Sequence, residues 1–201
     1  MAKQKWKGGA LLAPVPPAMV SCGSEQDGTA NIITVAWTGI INTIPPKTYV
    51  SIRPSRHSYK LIRESGEFAI NLTSTSLIKS ADYCGIYTGA KVNKFEKCGL
   101  HKEAASEISC PLIAESPLSL ECRVSDVIEL GSHHMFIADI VAVDVDDSLL
   151  NSDGKLCLDK AKLAAFSHGE YFALGEKIGF FGFSVKKKKK KPQKKSPPRS
   201  T

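Results

Sequence analysis

The chain has 201 residues, 42% of them hydrophobic, which suits one domain of ordinary size with enough apolar side chain to build a core. No run approaches the ~18 apolar residues of a membrane helix, and the basic stretch Met1–Lys7 gives way to Pro14, Pro16 and Pro17 instead of a long apolar region, so neither a membrane span nor a secretory signal is expected and the expected location is cytoplasmic. The net charge of +7 is local: nine of the 27 basic residues and none of the 20 acidic ones lie in 186–201, which leaves a near-neutral body that is no platform for nucleic acid.

In chain order, residues 1–10 are polar and read as a flexible N-terminus. Leu11–Val20 is apolar but carries three prolines, which predicts an irregular edge strand or a wrapping arm. SCGSEQDGT, 21–29, has the composition of a turn. NIITVAWTGII, 31–41, is rich in β-branched residues and predicts one buried strand, Pro45-Pro46 closes a turn, and KTYVSIR, 47–53, alternates as the next strand. The period then changes. Ser55 or Ser58 can cap a short helix that Gly66 stops, and Glu67–Leu72 returns to strand. Helices are predicted again over 74–84 and 92–98, the second ending at Gly99. Leu118–Leu130 and Met135–Val145 flank GSHH as a hairpin. The six aromatics of 165–185 predict a stretch packed across an existing surface. The tail 186–201 has no apolar residues to bury and its charges repel, so it reads as a disordered, Lys-rich end to a domain spanning 11–185. Consecutive strands with a helical insertion after the third, and no alternating βαβ pattern, favour a mainly β (α+β) antiparallel barrel with short helical decorations.

Three segments carry candidate chemistry. SIRPSRHSY, 51–59, passes from a strand end through Pro54 into a helix start, where unpaired N–H groups and the positive dipole end attract anions. Arg53 and Arg56 match phosphate oxygens in a bidentate way. These residues suit a phosphate clamp, and they equally suit a solvated polar loop. In NIITVAW, polar Asn31 and Thr34 interrupt an apolar strand and need partners, either backbone or the edge of a heterocyclic ligand. TGAKVNK, 88–94, offers a glycine for close approach and two lysines. The Cys98/His101 pair has a CxxH spacing without a second ligand pair, so no metal is expected there. His133 and His134 in the hairpin turn, and His168, read as surface histidines. No GxGxxG, GxxxxGK[ST], GxSxG or HExxH occurs, which argues against Rossmann dehydrogenases, P-loop NTPases, α/β-hydrolases and zincins.

The run NIITVAWTGIINTIPPKTYVSIRPSRHSYKLIRESGEFAINL, followed by ADYCGIYTGAKVNKFEKCGL and YFALGEKIGFFGFS, resembles the flavin reductase–like, FMN-binding split-barrel family that includes the flavoredoxins. The resemblance covers roughly residues 10 to 185 and implies a six-stranded antiparallel Greek-key split barrel holding FMN at a homodimer interface. It places Thr34, Ala36 and Trp37 along the isoalloxazine ring, and Ser51, Arg53, Arg56, His57, Ser58 and Tyr59 at the ribityl chain and phosphate. Asn71 and Lys94 match further cofactor-contacting positions. The implied activity is an NAD(P)H-dependent flavin reductase, in which the flavin carries hydride or electrons and no catalytic side chain is required. The alternative is a flavoredoxin-type carrier that takes electrons from a redox protein partner and binds no NAD(P)H.

Overall fold

The β-branched run 31–41 does not form one buried strand. It breaks at Ala36–Trp37 into β2 (Asn31–Val35), which is buried, and β3 (Thr38–Asn42), which is mostly exposed. In the computed structural model, which describes residues 1–185, the remaining elements follow as β1 (Ala18–Cys22) before them and then β4 (Lys47–Ile52), α1 (His57–Ser65), β5 (Glu67–Asn71), α2 (Ile78–Ile86), α3 (Lys94–Cys98), β6 (Lys102–Glu103), β7 (Leu112–Ile113), β8 (Leu118–Glu129), β9 (His134–Val145), β10 (Ala164–Ser167) and β11 (Glu170–Ala173). The expected disordered tail lies outside the described residues. Among those residues no helix is long and apolar enough to cross a membrane.

Seven strands form one antiparallel sheet in the order β2-β1-β5-β8-β9-β4-β3, one strand more than the six expected. Its two edge strands, β2 and β3, are consecutive in the chain and joined only by Ala36 and Trp37. The sheet must therefore curl until its edges meet at that corner, which makes a split barrel closed by covalent continuity. Register shifts in the β8–β9 ladder, between Glu121 and Cys122 and between Val124 and Asp126, supply the local bending that such a curl needs.

The prolines before β1 do not make it an edge strand. Pro14, Pro16 and Pro17 all precede its first ladder residue, and Ala18–Cys22 is fully buried between β2 and β5. The barrel interior holds Val20, Val50, Ile52, Phe68 and Phe136, with Ile62 and Tyr59 of α1 packed over it. The other face of β1 and β2 presents Met19 and Ile32 to Ala81 and Cys84 of α2 and Phe95 of α3. Each large apolar side chain removed from water contributes about 1.5–3 kcal/mol.

Gly66 and Gly99 end α1 and α3 in the left-handed region that glycine adopts without strain, as the sequence predicts. The second predicted helix starts later, as a 3-10 turn over Thr75–Leu77, and runs through Gly85 to Ile86. Glu121 is buried on β8 and accepts from the backbone N–H groups of Ser106, Glu107 and Ile108 and from the Ser106 hydroxyl. Burial alone would raise its carboxyl, but those donors hold it below the usual carboxylate range and tie the segment between β6 and β7 to the sheet. The C-terminal aromatic stretch packs only in part. The β10–β11 hairpin is fastened to Val15, whose N–H donates to the Phe166 carbonyl at 2.9 Å, whereas Leu174, Ile178 and Phe181 stand exposed.

Candidate functional site

The β2–β3 corner is also where β4 ends. The Ser51 N–H donates to the Trp37 carbonyl at 2.9 Å, which holds the two chain segments side by side. Between them lies a cleft of about 170 Å³ lined by Thr34, Ala36, Trp37, Ser51, Arg53 and Arg56, with His133 and Phe166 on its far walls. A larger apolar depression of about 430 Å³ adjoins it across Ala36, Trp37 and Ser51, bounded by Tyr49 and Met135.

Arg56, not Ser55 or Ser58, is the N-cap of α1. Its backbone is extended (φ −80°, ψ 138°) and no side chain caps the helix, so the first-turn N–H groups have no side-chain acceptor. Arg53 and Arg56 are exposed, and among the described residues neither has an ion-pair partner. His133 comes from the β8–β9 turn to face them. Burial first, and then the charges of Arg53 and Arg56, push its imidazole below the ordinary histidine value, so it is neutral at pH 7. The corner thus concentrates two unpaired guanidinium groups, a helix start and a neutral imidazole, an arrangement that attracts an anion.

A second, small cavity of about 60 Å³ opens behind Arg56, with His57 and Ser58 on one side and Thr88, Gly89 and Lys94 on the other. Asn31 frames it. Its Nδ2 donates to Ser58 Oγ at 2.8 Å, and Gly89 lies so close that a Cβ there would stand 2.0 Å from Asn31 Oδ1. Gly89→Ala is therefore expected to force the buried Asn31 side chain aside and to lower stability by about 1–3 kcal/mol, read as a fall in the urea midpoint at unchanged m-value; an unchanged midpoint would show that the loop simply shifts. Lys94 is 3% exposed, and its Nζ donates to the carbonyls of Ile32 (2.6 Å) and Cys84 (2.7 Å). Burial drives its amine below the ordinary lysine value, and the neighbouring thiols oppose that in part. An ammonium has three donors, and among the described residues the third has no partner.

The expected site residues therefore divide. Thr34, Ala36, Trp37, Ser51, Arg53 and Arg56 line the cleft, although the Thr34 hydroxyl donates to the Ala81 carbonyl. His57, Ser58 and Lys94 join Arg56 at the small cavity. Tyr59 and Asn71 do not reach either. Tyr59 turns into the barrel, where its hydroxyl meets His134 Nδ1 at 2.8 Å and its ring packs edge-on to Phe136. Asn71 is fully buried and fully committed: its Nδ2 donates to the Met19 carbonyl and Ser21 Oγ, and its Oδ1 accepts from the Ile113 N–H and Ser119 Oγ. It ties strands together rather than facing a ligand.

The sequence reading missed two cleft residues. His133 read as a surface turn residue and Phe166 as one aromatic among several; His133 reaches the site through the pairing of β4 with β9, and Phe166 through the bridge of its hairpin to Val15. His134 is half-buried and bonded to Tyr59, not a surface group. The CxxH pair also separates: His101 pairs with Glu115 at 2.6 Å, whereas Cys98 faces Cys84. Among the described residues no three His, Cys, Asp or Glu side chains gather as a metal set.

Comparison with known proteins agrees with this fold. The model of the flavin reductase like domain matches residues 12–190. The structure resembles flavoredoxin of Desulfovibrio vulgaris (Miyazaki F) at a TM-score of 0.85 and 32% identity, covering 92% of this chain and all of that one. It resembles flavoredoxin from Methanosarcina acetivorans at a TM-score of 0.82 and 25% identity, with the same coverage. Nitrilotriacetate monooxygenase component B from Bacillus cereus shares the fold at a TM-score of 0.75 and 20% identity, over 84% of this chain and 88% of that one. An uncharacterized protein of Archaeoglobus fulgidus is 31% identical over 80% of this chain and 88% of its own length. One from Aeropyrum pernix is 35% identical over 68% of this chain, which spans about half (52%) of that relative's length. With the domain model covering most of the sequence and a flavoredoxin 32% identical along nearly all of it, the chain belongs to the flavin reductase–like domain family.

Proposed function

We propose that this chain is a homodimeric FMN-dependent oxidoreductase, with NAD(P)H as the electron donor. The observation that carries the FMN assignment is the pair Arg53 and Arg56, free of carboxylate partners at an uncapped helix start beside a wide apolar cleft. A tricyclic ring suits the Ala36–Trp37 walls. A phosphate dianion suits Arg56, the α1 N–H groups and the third donor of Lys94. The single strand-to-helix clamp over 53–58 suits one phosphate, which favours FMN over FAD.

A bound flavin supplies hydride and electron transfer. The residues of the chain hold and orient it, and no side chain in the cleft has the carboxylate or cationic-histidine character of an acid–base catalyst. Anaerobic mixing of FMN-loaded protein with NADPH or NADH should bleach the visible flavin band within seconds. Persistent colour with both, but bleaching by a reduced electron-transfer protein, would instead establish the carrier reading, which the 32% identity to a flavoredoxin supports.

The dimer is supported by apolar surface that one chain leaves uncovered. Ile40 and Ile44, at β3 and its turn, and Leu174, Ile178 and Phe181, beyond β11, are each more than half exposed. Light scattering at micromolar concentration should give twice the protomer mass of 21.7 kDa. A monomer that retains FMN would remove the dimer from the account.

A further inference from the structure

We propose that Cys84 and Cys98 form a peroxide-responsive dithiol that converts to a disulfide and fastens the outer wall of the anion cavity. Cys84 lies in the last turns of α2 and lines that cavity, Cys98 ends α3, and their sulfurs are 3.9 Å apart. A disulfide requires about 2.05 Å between sulfurs, a closure of under about 2 Å. The chain between the two cysteines is the segment carrying Thr88, Gly89 and Lys94, so the bond would tie both ends of the cavity wall together. Lys94 already bridges the same ends through the Cys84 carbonyl.

The two thiols differ in a way that assigns their roles. Cys98 is half-buried and reaches the surface, whereas Cys84 is buried and its thiol is pushed up to about 12, chiefly by desolvation and then by its proximity to Cys98. An oxidant therefore meets Cys98 first. Cys98 gives up its sulfur electrons to a hydroperoxide, forming a sulfenic acid and releasing water. The Cys84 sulfur then attacks the Cys98 sulfur and a second water leaves with the thiol proton. Overall, two thiols and one hydrogen peroxide become one disulfide and two waters, with two electrons passing from the pair to the peroxide. The other cysteines differ from this pair in what their sulfurs face: Cys22 points to the Asn31 carbonyl and Cys122 to the Leu120 carbonyl, and Cys110 is a buried thiol raised by desolvation. Half-buried Cys157 directs its sulfur to the Lys155 carbonyl. The inference does not depend on which anion occupies the cavity.

The test uses the full-length protein, reduced, freed of reductant and treated with stoichiometric hydrogen peroxide. Peptide mapping should recover a linked pair containing Cys84 and Cys98, lighter by two hydrogens and separated again by dithiothreitol. The oxidised protein should melt higher than the reduced one, because the cross-link restricts the unfolded chain. In Cys84→Ser the stalled sulfenic acid should be trapped by dimedone on Cys98, and Cys98→Ser should abolish both the linked peptide and the melting shift. Cys157 serves as the internal control. Recovery of oxidised Cys157 without the linked peptide, or over-oxidation of Cys98 to the sulfinic acid in the wild-type protein, overturns the proposal, and the wild-type result stands even if either serine variant folds poorly.

Discussion

Replacing Arg56 by alanine is expected to weaken FMN binding about ten- to a hundredfold while leaving riboflavin binding little changed. The two ligands differ by one phosphate, close to a dianion at neutral pH. Arg56 is the α1 N-cap residue and lines both the cleft and the small cavity behind it, so it stands where the two meet. A charge-assisted hydrogen bond contributes about 1.5–3 kcal/mol, which is the affinity loss stated. Arg53 lines the cleft but not the small cavity. Arg53→Ala should therefore discriminate less between the two flavins. Calorimetric titration of both variants with both ligands reads the difference directly. An equal loss of FMN and riboflavin in Arg56→Ala would make that residue a structural one and move the phosphate elsewhere.

Lys94→Met should destabilise the fold strongly, against the usual expectation that removing a buried charge helps. The charge is desolvated, which alone would favour methionine. The lysine nitrogen, however, satisfies the carbonyls of Ile32 and Cys84, one on β2 and one on α2. Without it two buried acceptors lose their partner, at about 1–3 kcal/mol each. The expected result is a fall in melting midpoint of roughly 10 °C. An unchanged midpoint would mean that relief of desolvation cancels the lost bonds, and Lys94 would then matter only to the ligand. Lys94 thus closes the β2–α2 contact and also lines the small cavity.

Much of this was legible in the residues because local chemistry decided it. Glycines at 66 and 99 end helices wherever the surrounding chain goes, and the SIRPSRHSY run marks a strand-to-helix turn rich in cations. Elements failed where the deciding contact is distant. The run 31–41 has no Gly, Pro or Asn at its break, so nothing local announces that Ala36–Trp37 is a barrel corner; the closing of the sheet imposes it. The prolines before β1 argued for an irregular edge strand or a wrapping arm, but they end just before the ladder, which starts at Ala18. Tyr59 shares the polar segment of Arg56 and Ser58 yet points into the barrel, because one step along a helix turns a side chain by about 100°. Asn71 is expected at the cofactor because the resemblance places it there; its partners are Met19, Ser21, Ile113 and Ser119. His133 is the converse case. It sits 80 residues from Arg53, and only the pairing of β4 with β9 brings it into the cleft.

On the proposed function, the β2–β3 corner and the start of α1 form one site for a flavin mononucleotide. The most direct measurement is a set of titrations of FMN, riboflavin and FAD into flavin-free protein, with stoichiometry and affinity read together. One FMN per chain, bound at least tenfold more tightly than either riboflavin or FAD, is the predicted result. Binding of riboflavin as tight as that of FMN, binding of FAD as tight or tighter, or no flavin binding at all, would contradict it.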